Sequence, residues 1–204
     1  MKGGCMSKGA DGRSSHVSPP SSRLAPKHCV GAALLALLCA CGTPSEPAQL
    51  TLPLADSLQL RGWVPEGLRG QVSVAPVNGG AATGRWWGSK IANDAMQAAL
   101  EDSLRATGML AQRPAQARYQ LQMKLSALEQ PWVGLDIKVA ATLDWRLVDQ
   151  RSGETLYERR TRSLHTTEFT QAMLDQNERT RIANEAAVRK AINTVLREMV
   201  ELRL

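Results

Sequence analysis

Cysteine is the most versatile residue type in this sequence, and all four copies, Cys5, Cys29, Cys39 and Cys41, fall within the first 41 of 204 positions. No thiol follows Gly42. That removes a Cys-based zinc site, a disulfide framework and a cysteine nucleophile from everything downstream. The one histidine beyond that point, His165, stands beside Thr166, Thr167 and Glu168. As a base it needs an orienting carboxylate and a nucleophile, and no nucleophile elbow surrounds it. A single imidazole with no second His, no thiol and no Asp-rich loop does not compose a zinc or calcium site. Gly79, Gly80, Gly84 and Gly88 precede Lys90 but lack the Gly-x-x-x-x-Gly-Lys-Ser/Thr register of a phosphate cradle. The expectation is a protein that is not an enzyme and uses no cofactor and no metal.

Two further groups of residues suit binding rather than catalysis. Arg159, Arg160 and Arg162 could meet anionic headgroups, because guanidinium forks fit phosphate, or could guard a sheet edge by charge. Arg181, Glu185 and Arg189 are spaced four apart, as a polar ridge toward a partner or as an ion ladder along one helix. There are five tryptophans beside one Phe and two Tyr. Trp145 falls in an alternating core register. Trp63, Trp86, Trp87 and Trp132 lie in Gly/Pro-containing loops, where they either fold back over the sheet or form a patch for a partner or a membrane surface. The candidate partner or lipid contacts are therefore Trp86, Trp87, Trp132, Arg159, Arg160 and Arg162.

The charge distribution separates the beginning of the chain from the rest. The formal net charge is +6. The first 41 residues hold five basic groups and one acid, which leaves +2 on the remainder. So nearly neutral a body has no electrostatic reason to seek nucleic acid. Cys29 to Ala40, CVGAALLALLCA, is free of charge and follows Lys27 and His28. As a helix it would span about 18 Å, too short for a hydrocarbon core of about 30 Å, and it reads as an export signal. Leu38-Cys39-Ala40-Cys41-Gly42 resembles the lipobox of bacterial lipoproteins, with Cys39 where Ala or Ser is more usual. That resemblance implies acylation of Cys41, which becomes the new N-terminus. Gly42 in place of Asp implies the outer membrane, facing the periplasm. Two or three acyl chains make an effectively permanent anchor.

Elements must then position these residues. Thr43 to Gln49 reads as a tether, and LTLPL and LQLRGWV within Leu50–Gly70 as short strands interrupted by Pro53, Pro65 and glycines. A flexible 43–70 segment would reach about 30 Å. A strand at Gln71–Val77 precedes a loop through Gly84. Ser89 is the expected N-cap of a helix over Lys90–Thr107, stopped by Gly108. Tyr119–Ala127 and Ile137–Leu147 alternate apolar and polar residues, as strands with one wet face do. Glu154–His165 is expected as an edge strand. A last helix spans about Asn177–Leu202, with Val188, Ile192, Val195, Met199 and Leu202 on one stripe. The expected fold is α+β, a two-layer β-α-β-β-β-α sandwich with two helices on one face of a four-stranded mixed sheet. Its parts are a leader over 1–40, a lipidated tether over 41–70 and a periplasmic domain over 71–204.

The residues Ala98–Gly108 (AALEDSLRATG), Ala117–Leu125 (ARYQLQMKL) and Arg181–Ile192 (RIANEAAVRKAI), with the lipobox and tether, resemble small Gram-negative envelope lipoproteins. The relevant groups are the YajG-type lipoproteins, the auxiliary lipoproteins of envelope lipid transporters and the lipopolysaccharide-assembly lipoprotein. The resemblance covers about 71–204. It implies a membrane-anchored, non-catalytic accessory or assembly subunit partnered by another envelope protein. The alternative is a lipid or glycolipid binder holding phospholipid or lipopolysaccharide between sheet and helices.

Overall fold

The computed structural model describes residues 44–83, 89–131 and 134–202, all within one compact unit. The sheet is built from the alternation in the sequence. Strand β2 (Tyr119–Glu129) pairs antiparallel with β3 (Ile137–Asp149), from Tyr119 opposite Asp149 to Glu129 opposite Ala140, with an irregularity between Leu125 and Ala127. Strand β4 (Thr155–Thr167) pairs antiparallel with β3, from Ile137 opposite Thr167 to Val148 opposite Thr155. The short β1 (Val72–Val74) runs parallel to β2, and the spatial order is β1-β2-β3-β4. Leu121, Met123 and Leu125 lie opposite Leu147, Trp145 and Leu143, and all six are buried on one face. Lys124, Arg146, Arg160 and Arg162 are exposed on the other.

Helices α3 (Asn93–Thr107) and α4 (Gln176–Val200) cover the apolar side; α4 lies on β3 and β4, and α3 meets β1. The expected α+β sandwich with a four-stranded mixed sheet and helices packed against it is the observed fold. The start of α3 differs from expectation by three residues. Its N-cap position is Ala92, and Ser89 is buried instead with its carbonyl accepting from Asn184 Nδ2 at 2.9 Å. Gly108 ends the helix in the left-handed conformation, φ 79°, where a side chain would be strained. Asp175 caps α4, its carboxylate accepting the Glu178 N–H at 3.0 Å.

The segment expected as a tether with short strands is neither. It forms helices α1 (Pro47–Leu50) and α2 (Leu54–Trp63), which pack on α3 and α4. Leu50, Leu52, Leu60, Val64 and Leu68 are buried in the same core as Trp145 and Tyr119. The prolines read as breakers are start signals: Pro47 occupies the first turn of α1 and Pro53 the N-cap of α2, where a missing N–H costs nothing.

Candidate functional site

The polar row on α4 is where the arm meets the body. Arg181, Glu185, Arg189, Asn193 and Arg197 recur every four residues and so share one helix face. Arg181 donates to Glu185 at 2.8 and 3.0 Å and to Glu178 at 2.6 and 2.9 Å. The Glu185 carboxylate accepts the Glu46 N–H at 2.8 Å. Arg189 Nη1 donates to the Gln49 carbonyl at 2.5 Å. Asn193 and Arg197 both donate to the Asp56 carboxylate, at 3.0 and 3.1 Å. The ladder expected from Arg181, Glu185 and Arg189 therefore exists between the first two only. Arg189 turns instead to the arm, a backbone partner that side-chain spacing could not reveal. Burial raises the Glu185 carboxyl above its ordinary value against the pull of its donors, while the Arg181 fork lowers that of Glu178.

Ser45 lies near the start of the described arm. It is buried, and its hydroxyl donates to the Lys90 carbonyl at 3.3 Å. Gln130 Nε2 donates to the Ser89 carbonyl at 2.8 Å and to Asn184 Oδ1 at 2.7 Å. Four stretches of chain thus converge: the start of the arm, the approach to α3, the end of β2 and the first turns of α4. They meet at the end of the sheet where β3 begins.

The three arginines of β4 are separated by the strand pleat. Arg159 points to the helix side, where it lies 3.5 Å from Glu198, a carboxylate that also accepts the Tyr157 hydroxyl at 2.5 Å. Arg160 and Arg162 point to the open face. Arg160 pairs with Asp144 at 2.5 Å and Arg162 with Glu129 at 2.8 Å. Arg160, with the Ser126 hydroxyl, holds the Asp144 carboxyl below the usual carboxylate range. Each arginine has its own acid, so they do not form one cationic patch. Of the other candidates, Cys41, Trp86, Trp87 and Trp132 lie outside the described residues. Trp63, expected in a loop, ends helix α2 and is exposed, as are Leu54 and Leu58 on the same helix.

His165 is half-buried on β4 and makes no side-chain hydrogen bond among the described residues. Burial, with Arg189 and Lys190 adding, lowers its pKa. Cationic neighbours oppose the imidazolium that an orienting carboxylate would favour. No group of three or more His, Cys, Asp or Glu suited to a metal occurs among the described residues. Grooves open on the outer sheet face: one of about 460 Å³ is walled by Gln122, Lys124, Asp144, Arg146 and Glu158, another of about 310 Å³ by Glu129, Gln130, Lys138, Arg162 and Leu164. Between sheet and helices, Tyr119, Leu121, Leu143, Trp145, Ala187, Val188, Ala191 and Val195 are all buried.

No family model and no curated protein matches the chain. The fold, however, has solved relatives. A Xanthomonas campestris protein of the DUF330 family is similar at a TM-score of 0.50 and 12% identity, covering 68% of this chain and 90% of its own. That likeness shows the fold. A candidate lipoprotein from Caulobacter crescentus matches at a TM-score of 0.45 and 16% identity over 70% of this chain and 93% of its own. A minor lipoprotein from Acinetobacter baumannii matches at 0.40 and 13% over 50% and 78%. Small bacterial lipoproteins are thus among the structures this chain resembles, at low identity.

Proposed function

We propose that the chain is a lipid-anchored protein of the bacterial cell envelope, acylated at Cys41 and held at the outer membrane facing the periplasm. It serves there as a non-catalytic accessory or assembly subunit for another envelope protein. The observation that carries this reading is the position of the lipobox-like Leu38-Cys39-Ala40-Cys41-Gly42. Its cysteine stands four residues before Ser45, which is buried. The charge-free run from Cys29 to Ala40, which follows Lys27 and His28 and reads as an export signal, supports the same position. The cationic surroundings of His165 and the paired arginines support the non-catalytic part.

Cys41→Ala tests the anchor. The expected outcome is loss of palmitate labelling and release of the protein from the membrane fraction; labelling that persists defeats the reading. A lipid or glycolipid carrier with its ligand between sheet and helices has less support, because buried side chains fill that layer. Lipid extraction of the purified protein decides between them: about one phospholipid or lipopolysaccharide per chain favours the carrier.

A further inference from the structure

Of the large apolar side chains exposed among the described residues, Leu54, Leu58 and Trp63 lie on α2, and Leu135, Leu164, Met173 and Leu174 lie at the end of the sheet where β3 begins. Four peptide steps from Cys41 to Ser45 span at most about 14 Å, whereas the 13 residues of β3 extend the sheet about 40 Å. Ser45 is fixed to Lys90, beside the Ser89–Gln130 contact, at the end where β2 finishes and β3 starts. A lipidated Cys41 therefore cannot reach the far end of the sheet, where the Asp149–Gly153 turn lies. It can only hold the Ser45 end against the bilayer.

That end has the surface for it. Leu135, just before β3, is 72% exposed, and Leu164 projects from the neighbouring stretch of β4. Met173 is 58% and Leu174 100% exposed, in the connection that enters α4. Arg179 fixes this connection: its guanidinium lies 5.1 Å from the Phe169 ring and donates to the carbonyls of Ala172 and Met173. The Phe169 N–H in turn donates to Asp136 at 3.0 Å, beside Leu135. Leu174 is thus turned outward by a loop whose backbone is tied down. Around these residues Glu129 is taken by Arg162, while Lys90 and Lys138 have no acidic partner among the described residues. Glu168, Asp136 beside Leu135 and Asp175 beside Leu174 are acids of this end that likewise pair with no cation among the described residues, the two aspartates accepting backbone N–H groups instead.

We propose that this end, carrying Leu135, Leu164, Met173 and Leu174 with Lys90 and Lys138 beside them, rests in the interfacial region of the membrane that anchors Cys41. The proposal builds on the anchor reading above. Apolar side chains enter the headgroup boundary, where the lysines meet phosphate groups and the unpaired acids meet the ammonium groups of zwitterionic headgroups. The short reach from Cys41 makes the contact intramolecular, so surface affinity too weak to recruit a free protein suffices to orient a tethered one. The strands then run away from the bilayer, and the Asp149–Gly153 turn faces the periplasm.

The absence of cysteine after Cys41 makes the test clean. Single substitutions Leu135→Cys, Leu174→Cys and, at the far turn, Arg151→Cys are labelled with a polarity-sensitive fluorophore in the lipidated protein. The protein is then placed in vesicles of phosphatidylethanolamine and phosphatidylglycerol with a headgroup-level quencher. The expected result is a blue shift and strong quenching at positions 135 and 174, with emission at 151 unchanged from water. A protein that floats with the vesicles while all three labels remain in water overturns the orientation and leaves the anchor standing. One that fails to float overturns both.

Discussion

The backbone N–H of Glu46 donates to the buried Glu185 carboxylate at 2.8 Å, a contact that joins residues 139 positions apart. It is the first rung of the row by which α4 holds the N-terminal arm, and it makes the arm part of the body. Glu185→Ala leaves that N–H and half of the Arg181 pairing unmet in a buried place, at a cost of about 2 kcal/mol. Glu185→Gln keeps an acceptor oxygen and loses less. Urea denaturation of the two variants checks the order; equal stability in both would mean that the rung contributes nothing.

A chain begun at Gln71 is expected not to fold. Removing 44–70 strips Leu50, Leu52, Leu60, Val64 and Leu68 from the core. At about 2 kcal/mol each this is of order 10 kcal/mol, comparable with the whole stability of a domain. A chain begun at Gly42 should give a cooperative melt, and the shorter one should bind a hydrophobic dye without one.

The Trp145 indole N–H is satisfied by the Thr161 hydroxyl at 2.9 Å, from β4 to the fully buried ring on β3. Thr161→Val keeps the shape and removes the acceptor. The expected loss is about 1–3 kcal/mol, with Thr161→Ser near the wild type. Arg160→Ala, which breaks an exposed pair, should cost no more than about 1 kcal/mol in the same assay.

His165 gives the stability a pH dependence. Its folded pKa lies below the ordinary 6.5, through burial first and then Arg189 and Lys190. The unfolded chain therefore takes up this proton at a higher pH than the folded chain. The contribution is fully present above pH 6.5 and is lost as pH falls through the folded value. His165→Gln should flatten this part of the curve, and melts in buffers on either side of pH 6.5 measure it as the difference from wild type.

Gly79 is fixed by space. Its φ is 88°, and a Cβ there would sit 1.9 Å from the Leu125 carbonyl oxygen, because the loop after β1 runs against the backbone of β2. Gly79→Ala combines positive φ with a backbone clash and should cost more than about 2 kcal/mol. A thermal melt matching wild type would contradict this.

The sequence made β2, β3 and α4 legible because each has one wet face and one dry face, so burial leaves a clean period of two or near four. The arm was opaque for the opposite reason. Leu50, Leu52, Leu60, Val64 and Leu68 fill gaps between other helices and follow no single period, and the prolines that begin α1 and α2 resemble interruptions. On β4 the three arginines looked like one cluster; the pleat assigns Arg159 to Glu198 and its neighbours to Asp144 and Glu129, partners that pairing across strands decides. The exposed residues near Ser45 carried no local signal, since their common location depends on how four distant stretches converge.

The arm's attachment also sets the order in which the molecule can be completed. Its hydrogen bonds to Glu185, Arg189, Asn193 and Arg197 span 137–141 positions, so a chain emerging N-terminus first produces the arm early and its docking face last. Loop closure must precede any gain from such distant contacts, which slows the final step. Until residue 197 has emerged, Leu50, Leu52 and Leu60 have no complete surface to cover them. The newborn chain thus passes through an interval in which α1 and α2 lack their docking face, and truncation near the C-terminus would prolong that interval indefinitely.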